Sequence, residues 1–287
     1  MNITATMVKE LRDKTGAGMM DAKKALVEVD GDMDKAMEVL RQKGIASAEK
    51  KMGRIAAEGR VGSYVDSSVG AMIEVNCETD FVAKNDEFVE LTNGLAELVA
   101  KTNPADVAAL EATTCPKCGK LISDVLKEKI ASIGEKITIR RFVRYEGNVA
   151  TYIHNGKIGV LLETSAADAE LSKDICLHIA SSAPEFVSRN EIPASVLEEE
   201  KRIEMGKEDL AKKPEQIREK IVEGRVNKLM AQRCLLEQPF VKNPDLTIEQ
   251  LISGKMNVVK FERYVLGEGL EKRSENFAEE VMGQIKG

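Results

Sequence analysis

Tryptophan is absent from this 287-residue sequence, and aromatic residues make up only 4% of it. Base-stacking platforms are therefore poorly supplied. A basic excess is missing too: 42 Lys and Arg stand against 48 Asp and Glu, for a formal net charge of −6. A chain that grips phosphate backbones needs a basic stripe, so no direct nucleic-acid partner is expected. Histidine is scarce, with only His154 and His178, and Ser-His-Asp triads or histidine-rich metal sites are hard to build from two. His178 lies between Leu177 and Ile179 on a helical stretch, where a satisfied packing role is expected. Gly16-Ala17-Gly18 lacks the Lys-Ser/Thr and the preceding strand of a phosphate-binding loop. No run reaches the roughly 20 apolar residues of a membrane helix, so no membrane association is expected. The N-terminus carries charge by Lys9 and Glu10 and has no apolar core, which argues against a signal peptide. Five cysteines are an odd number without framework spacing, which fits a reducing cytoplasm. No catalytic residue, cofactor or resident metal is assigned, and the absence of covalent catalysis is an expectation that rests on the resemblance given below.

What is present is a chain that is 43% hydrophobic and 31% charged, long enough for several modest domains. Residues 1–54 read as a small helical domain. Val8 and Leu11 precede Thr15-Gly16-Ala17-Gly18, whose glycines stop a first helix. A second helix carries Ala22, Ala25, Leu26 and Val29 on one face. Asp30-Gly31-Asp32 forms a turn and an N-cap, and a third helix carries Met33, Ala36, Met37 and Leu40, with Gly44 expected to end it. Three short helices of this kind resemble a ubiquitin-associated-type domain. The basic stretch from Arg41 to Arg60 reads either as a positive patch for RNA or as a solvated linker, and the linker is the plainer account.

An internal repeat follows. Glu58-Gly59-Arg60-Val61-Gly62-Ser63-Tyr64-Val65 leads to Gly70-Ala71-Met72-Ile73-Glu74-Val75. Glu146-Gly147-Asn148-Val149-Ala150-Thr151-Tyr152-Ile153 leads in the same way to Gly159-Val160-Leu161-Leu162-Glu163-Thr164. Each copy predicts two strands with apolar residues at spacing two, then a helix, over about 86–100 and 169–182. The fold class is thus α+β: a three-helix N-terminal domain, a duplicated core (residues 55–145, then 146–182 with 238–266), an antiparallel helical hairpin inserted at 183–237, and a C-terminal helical module at 267–287 whose helix runs from Ser274 to Ile285. In the hairpin, Val196, Ile203, Leu210 and Ile217 fall at intervals of seven, but Lys213-Pro214 breaks the run, which reads as a helical hairpin and not one long coiled coil. That stripe packs on the hairpin's own second arm or also pairs with another subunit.

Cys115-Pro116-Lys117-Cys118-Gly119-Lys120 is the sharpest metal-like string. Two thiolates at this spacing are half of a tetrahedral zinc site. No second pair follows, and a loop of reduced thiols is the preferred reading. The segment Thr79-Asp80-Phe81-Val82 joins a strand to a helix. From the pattern alone, Thr79 or Asp80 caps that helix and Phe81 staples it to the core.

Asn76-Cys77-Glu78-Thr79-Asp80-Phe81-Val82-Ala83-Lys84-Asn85 is similar to the central motif of the bacterial elongation factor Ts family. Thr15 to Leu26, Ile133-Gly134-Glu135-Lys136-Ile137 with Arg140-Arg141, Ile221 to Arg225, Cys234 to Lys242 and Gly267 to Glu271 resemble the family's other signatures, in order along nearly the whole chain. The Cys115–Cys118 loop departs from the general pattern. The resemblance implies a guanine-nucleotide exchange factor that binds elongation factor Tu carrying GDP and speeds its release. It implies that Phe81 wedges between partner helices and that Asp80, within Thr79 to Val82, disturbs groups around the partner's magnesium. It implies further partner contacts at Met19, Met20 and His154, where the residues alone equally allow a core role for one of the methionines and a plain hairpin-turn role for His154. It also implies a final helix that touches the partner, and a hairpin that dimerises in some members. The alternatives are an adaptor that recruits partners without changing nucleotide affinity and a zinc-dependent or thiol-redox enzyme built around Cys115 and Cys118.

Overall fold

A computed structural model describes residues 3–210 and 213–271. The predicted helix from Ser274 to Ile285 lies outside the described residues. In chain order the helices are α1 (Ala5–Thr15), α2 (Met19–Glu28), α3 (Met33–Lys51), α4 (Asp80–Lys84), α5 (Asp86–Thr102), α6 (Val107–Glu111), α7 (Ile122–Ile133), α8 (Ala169–Ser182), α9 (Ala194–Met205), α10 (Glu215–Arg233) and α11 (Ile248–Ile252). The strands are β1 (Glu58–Asp66), β2 (Val69–Cys77), β3 (Thr138–Glu146), β4 (Asn148–His154), β5 (Ile158–Thr164), β6 (Pro239–Phe240), β7 (Asn243–Thr247) and β8 (Val258–Val265). The architecture is α+β. Two three-stranded sheets have the orders β1-β2-β3 and β4-β5-β8. In each, a helical excursion separates the second strand from the third.

The chain divides into two compact units. The first holds residues 1–62, 73–142 and 265–287, and the second residues 63–72 and 143–264. In the first unit, Val8, Leu11, Ala22, Ala25, Leu26 and Ala36 form a core shared by α1, α2 and α3. Gly16, with φ 67°, closes α1, and its amide donates to Arg12 O at 2.7 Å. The expectation that Gly44 ends the third helix is corrected: α3 runs through Gly44 to Lys51. The reason is packing. A Cβ at Gly44 would lie 3.0 Å from Ala131 Cβ on α7, so the missing side chain lets two helices approach instead of breaking one. Half of the expected basic linker is therefore helix. Its cations are engaged as well: Arg41 pairs with Asp124, Lys43 with Glu28 and Arg54 with Glu78, and Lys51 Nζ donates to Ile130 O at 3.3 Å.

The alternation predicted for β2 is also corrected. Gly70 through Cys77 are all buried, as befits the middle strand of its sheet. This places Glu74 fully inside. Its carboxylate accepts from Arg140 at 2.9 Å, from Arg141 at 2.7 Å and from the Gly267 amide at 2.9 Å. Burial pushes the Glu74 carboxyl up, but the Gly267 amide and the two guanidiniums outweigh it and hold it below the usual carboxylate range.

In the second unit, β4 and β5 pair antiparallel from Asn148–Thr164 to His154–Ile158. α8 covers them, burying Leu171, Ile175, Cys176 and Ile179 against Val160, Leu162, Phe240 and Ile248. His178 is buried and fully satisfied: Nε2 lies 2.8 Å from Gln238 Oε1, and Nδ1 accepts from the Val241 amide at 3.2 Å. Thr247 opens α11 with a capping box closed by Gln250. α9 and α10 run antiparallel, since Glu200 pairs with Arg233 while Glu204, further along α9, pairs with the earlier Arg225. The residues of the sevenfold spacing divide in two. Leu210 is buried with Val222, Val226 and Met230, and Leu197 packs beside them, whereas Ile203 and Ile217 are about half exposed. The turn at Glu208–Leu210 resets the helical phase, so a register read across it does not survive.

Candidate functional site

The Thr79–Val82 segment sits where β2, a fully buried strand, hands over to helix. Thr79 has extended backbone and caps α4, its Oγ1 accepting from the Val82 amide at 3.4 Å. Asn85 ends α4 and at once caps α5, accepting from the Glu87 amide at 2.9 Å. Phe88, at the start of α5, is buried. One short helix is thus fixed at both ends to the core of the first unit.

A carboxylate from another part of the chain holds this junction. Glu135 Oε2 accepts the Glu78 and Thr79 amides, each at 3.0 Å, and Glu135 Oε1 accepts the Thr79 hydroxyl at 2.6 Å. Glu78 returns the grip, accepting the Lys136 amide at 2.7 Å, and Arg54 reaches Glu78 at 3.2 Å. Hydrogen bonds to ionised acceptors are worth about 1.5–3 kcal/mol each, so three on one carboxylate define a rigid mount. Beneath it the Cys77 thiol donates to Thr79 O at 3.1 Å, and burial together with the Glu135 charge pushes that thiol up to about 12.

On this mount Phe81 is 82% exposed. The helix-cap expectation for Thr79 therefore describes its geometry, but the staple expectation for Phe81 is corrected. Ala83, not Phe81, is the α4 residue turned into the core. Asp80 is partly exposed and pairs with Lys84 one helical turn on, at 2.6 Å. Val82 is half-buried.

Met19 and Met20 open α2 and are 48% and 62% exposed, so neither serves the core. His154 ends β4 and is exposed. Its Nδ1 lies 3.1 Å from the Tyr152 hydroxyl and its Nε2 3.3 Å from Asn155 Nδ2. Thr79 to Val82 form one continuous feature, whereas Met19, Met20 and His154 stand on separate elements. In the sequence Glu135 stands within Ile133-Gly134-Glu135-Lys136-Ile137 with no role of its own. Its only local signal is a single acid after Gly134, the left-handed cap of α7, and no periodicity reports a contact between residues 79 and 135.

Among the described residues, no group of three or more His, Cys, Asp or Glu is placed to hold a metal ion, and no helix is long and apolar enough to cross a membrane. A family model described as Elongation factor TS matches residues 78–268. The Elongation factor Ts of Alkalilimnicola ehrlichii is 48% identical over 293 residues, covering 100% of both chains. That of Thioalkalivibrio sulfidiphilus is 48% identical over 294 residues, again covering 100% of both. That of Burkholderia multivorans is 48% identical over 286 residues, covering 99% of this chain and 97% of its own.

Proposed function

The chain belongs to the elongation factor Ts family, and on that premise we propose that it binds elongation factor Tu in its GDP state and promotes GDP release, so that GTP can reload during translation elongation. Such a factor performs no covalent chemistry. It must bind the nucleotide-free partner better than the nucleotide-bound one, and the coupling is reciprocal: GDP weakens the factor's grip as much as the factor weakens GDP's.

The observation that carries the reading is Phe81, a large apolar side chain 82% exposed on a short helix pinned by Glu135. An exposed aromatic on a flexible loop would adapt to a partner, whereas one on a fixed helix forces the partner to adapt. In this mechanism Phe81 enters between partner helices and moves them. Asp80, next to it, disturbs the groups that surround the partner's magnesium. That ion demands near-octahedral coordination, so a small displacement loosens it, and the diphosphate loses its neutralising charge.

Met19 and Met20 supply adaptable apolar surface to the same partner, and His154 meets it on the phosphate side. Residues 1–54 serve as the partner-binding helical domain, resembling the ubiquitin-associated type. Residues 55–145 and 146–182 with 238–266 are the two core halves. Residues 183–237 are the hairpin, which offers a surface for a homodimer, and 267–287 form the C-terminal module. The work is cytoplasmic, with no direct nucleic-acid contact. The test is the release of labelled GDP from elongation factor Tu with and without the chain. Strong acceleration is expected, and an unchanged rate removes the proposal.

A further inference from the structure

Five free thiols divide into two kinds. Cys77, Cys176 and Cys234 are buried, and burial pushes Cys77 and Cys176 up to about 12 and Cys234 upward as well. These are inert packing groups. Cys115 and Cys118 differ: one is half-buried and the other exposed, on a loop between α6 and α7.

That loop is a closed turn. Thr114 and Leu121 form a bridge at its neck, the Cys115 amide donates to Lys120 O at 2.7 Å, and the Gly119 amide returns to Cys115 O at 2.8 Å. Gly119 has φ 71°, a conformation that side-chain-bearing residues rarely adopt. The fold thus curls Cys115 and Cys118 around one turn. The Cys118 thiol and amide and the Lys117 amide and ammonium all act electrostatically on the Cys115 thiol. Burial pushes this thiol up, but those four partners outweigh it and bring it below the usual range. Cys115 and Pro116 also line a cleft of about 270 Å³ beside Leu91 and Leu98 of α5, so a small molecule can reach the sulfur. Two thiolates supply half of a tetrahedral zinc shell, and among the described residues no third donor joins them in a metal-binding group. A two-sulfur product needs no further donor.

We infer that Cys115 and Cys118 form a thiol–disulfide exchange site, with Cys115 the attacking thiolate and a low-molecular-weight aliphatic disulfide its reactant. The Cys115 thiolate attacks one sulfur of the small disulfide. A protein–small-molecule mixed disulfide forms, and the released thiolate takes a proton from solvent. Cys118 then gives its proton to solvent and attacks the Cys115 sulfur, expelling the second small thiolate. The protein dithiol loses two electrons and two protons, and the small disulfide becomes two thiols.

The test uses the full chain and oxidised glutathione as the probe, with acid quenching, maleimide labelling of the remaining thiols and peptide mass spectrometry. The peptide holding Cys115 and Cys118 should lose both labels and regain them with dithiothreitol, while Cys77, Cys176 and Cys234 keep theirs. In Cys118→Ser, which removes the resolving thiol, a stable glutathione adduct should remain on Cys115. In Cys115→Ser the adduct on Cys118 should form at least about tenfold more slowly. Two labels retained in excess oxidised glutathione would overturn the inference, as would equal adduct rates in the two variants. Stoichiometric zinc on the purified chain that blocks both thiols until chelated would also overturn it, in favour of a metal-binding turn.

Discussion

In the proposed mechanism Phe81 and Glu135 divide one task between two residues: the aromatic meets the partner, and the carboxylate keeps it in place. Because Phe81 is 82% exposed, Phe81→Ala should leave thermal stability within about 0.5 kcal/mol of the parent. Equal loss of folding and exchange would restore the staple reading. Glu135→Ala removes three hydrogen bonds to the Thr79 junction. It should slow exchange about tenfold, as expected when the competent conformation falls to roughly a tenth of the population. A variant with normal exchange but lower stability would reduce Glu135 to a structural brace. Glu74 carries a different prediction. Its carboxyl is held below its ordinary value of 4.5 by the Gly267 amide, Arg140 and Arg141 against the cost of burial. A depressed carboxylate contributes stability that is complete above the unfolded value and is lost as the pH falls through the folded one. Unfolding free energy should therefore drop as the pH falls below about 4.5. Glu74→Gln should flatten that drop while costing about 2–3 kcal/mol at neutral pH, less than the ~3–5 kcal/mol of a fully buried pair because both arginines keep some solvent. Denaturant titrations across pH read both effects. Most of this residue-scale chemistry was illegible in the sequence. Glu74 stands in the internal repeat and Glu135, Arg140 and Arg141 in a family-like string, but the pairings span long sequence separations that no spacing rule encodes.

At the scale of elements, legibility followed local physics. Helices with their own caps were readable: α8 spans Ala169–Ser182 as expected, and Thr247 with Gln250 opens α11. The errors arose where a neighbouring element overrides the local rule. Gly44 looks like a terminator, yet it serves the approach of α3 to α7. Gly44→Leu should therefore destabilise the chain by about 1–3 kcal/mol through overpacking against Ala131. Gly44→Ala should do far less harm, because about 1 kcal/mol of helix propensity offsets the close contact. Chemical denaturation of both variants checks this, and a neutral Gly44→Leu would show that the two helices are free to part. In the hairpin the break expected at Lys213-Pro214 is preceded by the turn at Glu208–Leu210, which already changes the helical phase. Seated in α8, His178 is tied to the Gln238–Val241 segment by a bond at each ring nitrogen. His178→Ala should cost about 3 kcal/mol through the cavity and the unpaired groups, with exchange per folded molecule unchanged.

For the whole molecule, an α+β class and a repeated strand-strand-helix plan were readable because each copy carries its own turn and alternation. The two sheets share one strand order, each completed by a strand that arrives after a long helical excursion. The family, and with it the proposed function, was readable chiefly through resemblance, since an exchange factor has no catalytic signature and the segment proposed to do its work has the pattern of an ordinary strand-to-helix junction. The structure supports the proposed role of the segment with rigidity below and exposure above. The most direct measurement is the rate of labelled-GDP release from elongation factor Tu under saturating factor, comparing the parent chain with Phe81→Ala. Loss of an aromatic anchor worth about 2 kcal/mol at an interface predicts release slowed roughly 30-fold, with the nucleotide-free partner still captured. Release at the parental rate would contradict the account, because the exposed ring on the Glu135-held helix would then have no part in driving the nucleotide out.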